Sequence, residues 1–587
     1  MFKKVLIANR GEIAVRVIRA CRELDISTVA VYSDPDRDAA HVAAADEAYR
    51  LGPAPPAASY LNGDRLLDLA IAARCDAIHP GYGFLAENAD FARRCAARGC
   101  VFVGPSAEAM DRMGDKLAAR ETDRAADVAV VPGTMASVRR GDDIRRLASE
   151  FGYPLVIKAA AGGGGKGLKV VLDDAGVEQA LSLAVKEAGA YFHDDTVYVE
   201  RYLQRPKHVE VQILGDKFGH VLYLGERDCS LQRRHQKLIE ETPAAIDGTL
   251  RHTLQSAACK LAAAINYDSA GTIECLVEGD RYFFLEMNTR IQVEHTITEM
   301  TWGVDLVKAQ IRIAAGEALW MSQDELSSRG HAIECRINAE SPAHEFRPSA
   351  GTITHYRAAG GPGVRVDSAA FAGATIPPDY DSLISKLCVW GENRQEARQR
   401  MLRALDESVV TGVETTIPFS RWLLEQPAFV SGHYDTSTVE ELVRARSGAV
   451  AAAYAETTDA ALQAPRSGDG AGPEPLTVEV DGRRFTVRVY GAQASSGPAQ
   501  KANSRFKSPK KAAQSGTSVP APMHGLVAEI RVGPGDAVVD GQVVAIIEAM
   551  KMMNEVVAHQ AGIVGSVVVK LGDTVNAGAS LLNFAEL

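Results

Sequence analysis

The sequence predicts a multidomain α/β chain: a doubly wound parallel sheet, a strand-rich α/β middle, an α+β region, a flexible linker, and an all-β flattened barrel. Three observations lead there. Apolar strands alternate with helix-spaced segments over residues 4–104. A glycine-rich loop and strands with spaced acidic residues come next. The segment from 519 onward carries an internal repeat.

The chain's 587 residues suggest about four domains at roughly 150 residues each. A composition 46% hydrophobic and 24% charged excludes global disorder, collagen and coiled coil. No apolar run approaches the roughly 18 residues of a membrane span. The apolar stretch at the N-terminus is too short for a signal peptide. A cytoplasmic chain with no membrane partner is expected. The net charge of −11 argues against nucleic acid as a partner. Nine scattered cysteines without a CxxC pair fit reduced thiols rather than a disulfide frame or a zinc site.

Lys4–Asn9 reads as a strand and Glu12–Leu24 as a helix, through Ile13, Val17, Ala20 and Leu24. Thr28–Tyr32, Asp76–His79 and Val101–Gly104 continue the sheet. Ligands of such sheets bind beyond the carboxyl ends of the strands, which carry Arg10-Gly11 and the loop His79-Pro80-Gly81-Tyr82-Gly83. The GxGxxG fingerprint is absent from this stretch, which argues against NAD or FAD.

A helix-like segment around Asp115–Arg120 opens the second region, residues 115–313. The third, 314–446, holds strands at Ala332–Asn338, Gly351–Tyr356 and Leu387–Trp390 and a helix at Arg394–Leu405. Residues 447–518 turn rich in Ala, Gly, Pro, Ser and Lys, as a linker does. Within them Leu476–Tyr490 alternates as a short hairpin with Asp481-Gly482 at its turn. In residues 519–587, Gly525-Leu526-Val527 aligns with Gly562-Ile563-Val564, and Gly535-Asp536 with Gly572-Asp573. Val538 aligns with Val575 and Gly541 with Gly578. Two such halves enclose a small core, and Lys551 falls at the turn that joins them.

Four constellations carry chemistry. Gly162-Gly163-Gly164-Gly165-Lys166-Gly167 lets backbone N–H groups approach phosphate oxygens, with spacing unlike the Walker loop, so a flap over a nucleotide is expected. Glu274 lies on one apolar strand, Glu286 and Asn288 on the next. A two-residue loop between them pairs Glu274 with Leu285; a three-residue loop or a bulge sets it opposite Glu286. Two carboxylates and an amide on one face are hard oxygen ligands suited to Mg²⁺ between phosphates. Asn288-Thr289-Arg290-Ile291-Gln292-Val293-Glu294-His295 gathers a bidentate cation for a small planar anion and a carboxylate to take its proton. Gln232-Arg233-Arg234-His235-Gln236-Lys237 is a basic cluster able to hold a triphosphate.

These motifs, with Ile7–Ala14 and His79–Asn88, resemble biotin carboxylase from residue 1 to about 446; residues from about 519, centred on Ala549-Met550-Lys551-Met552, resemble a biotin carboxyl carrier. Together the chain is similar to the biotin-containing α subunit of acetyl- or propionyl-CoA carboxylases. Methionines beside the lysine favour biotin over lipoyl. The resemblance implies a biotin carboxylase N-terminal domain of pre-ATP-grasp type at 1–114, an ATP-grasp domain at 115–313 and a biotin carboxylase C-terminal domain at 314–446. It implies a reduced biotin-transport-like linker at 447–518 and a biotinyl carrier at 519–587. It implies ATP binding by Lys116, Lys158, the loop Gly162–Gly167 with Lys166, Glu200, Arg201, Leu203, His208, Gln232 and His235. It implies Mg²⁺ or Mn²⁺ on Glu274, Glu286 and Asn288, and bicarbonate at Arg290, Gln292 and Val293. Glu294 becomes the general base, Lys237 a catalytic cation, Arg336 the stabiliser of the biotin enolate, and Lys551 the biotinylated lysine. The implied activity is ATP-dependent carboxylation of carrier-bound biotin by way of carboxyphosphate. The implied partners are biotin protein ligase and a carboxyltransferase β subunit, which carboxylates a short acyl-CoA, with six copies of each chain in the complex.

Overall fold

The computed structural model describes residues 1–114, 128–134, 136–160, 168–192, 194–445, 475–480, 483–488, 518–523, 525–549, 552–576 and 578–585. Lys116, the loop Gly162–Gly167, the turn Asp481-Gly482 and Lys551 lie outside them. The chain divides into two compact units, the first ending near residue 453.

The first unit begins with strands β1 (Lys4–Ile7), β2 (Ser27–Ser33), β3 (Glu47–Gly52), β4 (Ala77–His79) and β5 (Val101–Phe102). They pair in parallel in the order β3-β2-β1-β4-β5. Helix α1 (Gly11–Glu23) buries Ile13, Val17 and Ile18 against the sheet with Val5 and Ile7. The strand order reverses between β1 and β4, where such sheets open a crevice. Asn9 ties the two strand ends, its Nδ2 donating to the carbonyls of Pro80 and Tyr82 at 2.7 Å each. Gly81 holds φ +64°, where a side chain is strained, and a Cβ there would crowd Asn9 and Ile13. Tyr380, from the third region, lies at this end of the sheet: its hydroxyl donates to Ser33 Oγ, and Arg10 lies over its ring at 4.4 Å.

A small antiparallel sheet follows, of β6 (Leu155–Ala159) between β7 (Lys169–Val171) and β8 (Val197–Arg201). The helices Gly141–Phe151 and Val177–Phe192 close its core through Ile144, Val177 and Leu181.

The centre of the unit is an eight-stranded antiparallel sheet. Its strands include β9 (Lys207–Gly215), β10 (Val221–Arg233), β11 (Gln236–Thr242), β12 (Ala270–Glu278), β13 (Arg281–Asn288) and β14 (His331–Asn338). The order is β13-β12-β9-β10-β11-β14, continued by Leu383–Gly391 and Val364–Ser368. Because β14 pairs with β11, one sheet runs across residues 313 and 314. Alternation splits its two faces. Val209, Val211, Ile213 and Ile273 pack on the helix Gly248–Ala264. Ile333, Cys335, Leu387 and Val389 pack on the helix Arg394–Glu407. The intervening residues, among them Glu210, Gln212, Glu274, Glu334, Arg336 and Lys386, are buried or half-buried polar groups of the other face. The segment read as one strand at Gly351–Tyr356 divides into Gly351–Thr352 and His355–Arg357, which pair with different partners.

In the second unit, Pro475–Val480 and Arg483–Arg488 form the expected hairpin. The C-terminal repeat folds as two four-stranded sheets. Its aligned glycines hold matching left-handed conformations: φ +94° and +87° at Gly535 and Gly572, +80° and +83° at Gly541 and Gly578. Val527 and its counterpart Val564 are buried in one core with Val538 and Val575.

Candidate active site

The polar face of the central sheet converges on Lys237. Its ammonium lies 2.6 Å from Glu210 Oε2, 3.1 Å from Glu274 Oε1 and 2.6 Å from Glu294 Oε1. Glu294 is held from its other oxygen by Arg336 Nη2 at 2.8 Å, while Arg336 Nε donates to Glu240 at 2.6 Å. Burial alone would push the Glu294 carboxyl up; Lys237, Arg336 and Arg227 outweigh it and hold it well below the usual carboxylate range. Glu274 is likewise ionised: burial opposes, but Lys237 and His208 prevail, with His208 Nε2 2.9 Å from Glu274 Oε2.

Beneath this cluster lies Arg227, wholly buried. It donates to Glu210 at 2.6 Å, Gln212 at 2.7 Å, Thr298 at 2.9 Å, Thr272 at 3.2 Å and Gln292 at 3.3 Å. A guanidinium so satisfied fixes three strands and the loop after β13 in one arrangement.

The strands β12 and β13 settle the register left open by the sequence. Their loop is the two-residue Gly279-Asp280, since Glu278 pairs with Arg281. A bulge between Glu274 and Cys275 then brings Glu274 opposite Glu286. Asn288 Nδ2 donates to Glu274 at 2.9 Å. Two carboxylates paired across strands, with an amide on the same face, are hard oxygen donors that fit a divalent cation. Across β9, His208 and Glu210 approach Glu274 closely enough to extend the donor set.

Lys158 of β6 donates to Glu200 of β8 at 2.5 Å. Arg201 pairs with Glu278 at 2.7 Å, and Leu203 packs with Val131 and Phe283. Gln232 is buried on β10. After Arg233, which pairs with Gln236, Arg234 and His235 turn the chain with φ +48° and +65°, a two-residue hairpin turn built without glycine.

Arg290 donates to Glu87 at 2.9 Å and to Asn288 Oδ1 at 2.9 Å. Gln292 Nε2 reaches Glu274 at 2.7 Å, and the Val293 carbonyl accepts from Lys386 at 3.0 Å. Sequence reasoning missed Glu87, Glu210, Arg227, Glu240 and Lys386. Glu87 left a trace inside the motif His79–Asn88, and Glu210 in the alternation His208, Glu210, Gln212.

Family comparisons agree with this architecture. Residues 1–110 match the model described as the biotin carboxylase N-terminal domain, 115–322 the ATP-binding domain of the carbamoyl-phosphate synthase L chain, and 334–441 the biotin carboxylase C-terminal domain. The chain is 52% identical over 443 residues to biotin carboxylase 1 of Bacillus subtilis, a match covering 75% of this chain and 98% of that protein. The chain belongs to the biotin carboxylase family. Residues 513–584 add a match to the model described as biotin-requiring enzyme. Biotin carboxylase of a Nostoc species is also 52% identical over 443 residues, covering 75% of this chain and 99% of that one. Among solved structures of biotin carboxylases, the biotin carboxylase domain of the Hydrogenobacter thermophilus 2-oxoglutarate carboxylase, in complex with MgADP, ADP and bicarbonate, is similar. It has a TM-score of 0.73 and 47% identity, over 76% of this chain and 98% of that one. Campylobacter jejuni biotin carboxylase has a TM-score of 0.73 and 45% identity, over 75% and 99%.

Proposed function

We propose that this chain carboxylates biotin with bicarbonate at the expense of ATP, and that Glu294 is the base. The observation that carries the reading is the double grip on Glu294, by Lys237 on one oxygen and Arg336 on the other. Both cations keep the carboxylate ionised, and a substrate anion competing for them raises its proton affinity as it arrives. Arg290, Gln292 and the Val293 backbone receive bicarbonate; its deprotonated oxygen attacks the γ-phosphate, and Lys237 neutralises the charge on the transferring group. The attack releases ADP and forms carboxyphosphate, which splits into CO₂ and phosphate; the phosphate takes the proton of biotin N1, Arg336 steadies the resulting enolate, and N1 attacks CO₂. Glu274, Glu286 and Asn288 would hold Mg²⁺ or Mn²⁺, which screens the phosphate charge. Lys116, Lys158, Glu200, Arg201, Leu203, His208, Gln232, His235 and the loop Gly162–Gly167 bind ATP.

The domain divisions at 114, 313, 446 and 518 belong to the same reading, as does biotin on Lys551, attached by biotin protein ligase. The chain is then the α subunit of a cytoplasmic acyl-CoA carboxylase, working with a separate carboxyltransferase β subunit, six of each, on acetyl- or propionyl-CoA. The presence of the carboxylase domains and the motif Ala549-Met550-Lys551-Met552 on one chain supports it. Carboxylation assays on the co-purified complex with acetyl-CoA, propionyl-CoA, pyruvate and 2-oxoglutarate test the substrate. Turnover of an acyl-CoA is expected; turnover of a keto acid alone would reject the acyl-CoA reading.

A further inference from the structure

Three consecutive carbonyls after Arg290 each meet a side-chain donor. Arg290 Nη1 donates to Ile291 O at 3.3 Å, His295 Nδ1 to Gln292 O at 2.7 Å, and Lys386 Nζ to Val293 O at 3.0 Å. These peptides are trans, so each carbonyl and the N–H that follows it point in opposite directions. Fixing the carbonyls of Gln292 and Val293 therefore turns the amides of Val293 and Glu294 away from His295 and Lys386. Among the described residues neither amide donates to a protein acceptor. Successive N–H groups held this way make a concavity for an anion.

Lys386 is wholly buried and sits directly opposite Arg336 across the two strands. Its charge is balanced by Glu12 Oε2 at 3.2 Å and Asp367 Oδ2 at 3.9 Å. Glu12 stands in the first turn of α1 and accepts from the Tyr82 hydroxyl. The one ammonium thus joins the first helix, the central sheet and the loop after β13. Packing alone gives no reason for it, since an apolar side chain of similar volume avoids the desolvation of a buried ion.

We propose that Lys386 is a positioning residue for bicarbonate: it holds the Val293 carbonyl so that the Glu294 N–H faces the anion, beside the Val293 N–H that His295 sets through the Gln292 carbonyl. The inference rests on the bicarbonate reading of this loop given above. It adds a residue that touches no substrate and acts through one peptide plane.

The test is steady-state ATP hydrolysis by the full chain with free biotin, varying bicarbonate and MgATP separately. Lys386→Met raises the KM for bicarbonate about tenfold or more, because small misplacement of binding groups is costly. The KM for MgATP stays within about twofold. The double variant Glu12→Gln/Lys386→Met leaves one buried charge fewer to balance, so it covers the case in which the single variant fails to fold; it shows the same split. An unchanged bicarbonate KM in either folded variant, or an equal rise for both substrates, overturns the inference. Wild-type chain that lacks bicarbonate-dependent turnover would refute the carboxylase reading itself, a distinguishable result.

Discussion

Glu240 and Glu334 lie directly opposite one another on β11 and β14, both shut off from solvent. Paired acids repel, and here Arg336 holds one and Thr296 the other. Burial pushes Glu240 up to about 8 and Glu334 up to about 7. The pair therefore keeps a proton near neutrality. Unfolded glutamates ionise near pH 4.3, so between about pH 5 and 8 the folded chain binds more protons than the unfolded one. Stability associated with the pair is present below that range and is lost as pH rises through it. Glu334→Gln removes one titrating group, and its melting temperature falls less between about pH 5.5 and 8 than the wild type's. Parallel curves would contradict this.

Arg227→Met strips a wholly buried cation from Glu210 while leaving that carboxylate in place. The expected loss is about 3–5 kcal/mol, read from urea unfolding, since buried Glu210 keeps only Lys237 as a counter-charge and Gln212, Thr272, Gln292 and Thr298 lose their shared donor. A loss below about 1 kcal/mol, as for an exposed ion pair, would count against the role assigned to it.

The repeat in the second unit predicts equal penalties at equivalent turns. Gly535→Val and Gly572→Val each force a branched side chain into φ near +90°, at about 1–2 kcal/mol. Hydrogen exchange in the full chain should quicken over residues 525–585 in both variants. Faster exchange in only one of them would show that the halves do not share the load.

Lys551→Arg should abolish labelling on a streptavidin blot after co-expression with biotin protein ligase. Bicarbonate-dependent ATP turnover with free biotin should persist. Surviving label would place the modified lysine elsewhere.

What the sequence made legible was local. The parallel sheet, the glycine turns of the repeat and the motif Asn288–His295 each occupy a short span with its own period or turn chemistry. Glu274 and Glu286 were legible as a pair only in outline, because a bulge, invisible in composition, decides the register. Arg227 draws its partners from residues 210, 212, 272, 292 and 298, and no spacing rule connects them. Glu240 meets Glu334 only because one sheet continues across what reads as a boundary between regions. The spacing presents Arg290 as a bidentate fork for a small anion, and in the fold Glu87, 203 positions away, accepts from it.

The most direct measurement follows carbon from labelled bicarbonate in the biotinylated full chain. With ATP and Mg²⁺, acid-labile label should become attached to wild-type chain and not to Glu294→Gln, which keeps its affinity for ATP. Label that appears without ATP, or in equal amount on Glu294→Gln, would contradict the account.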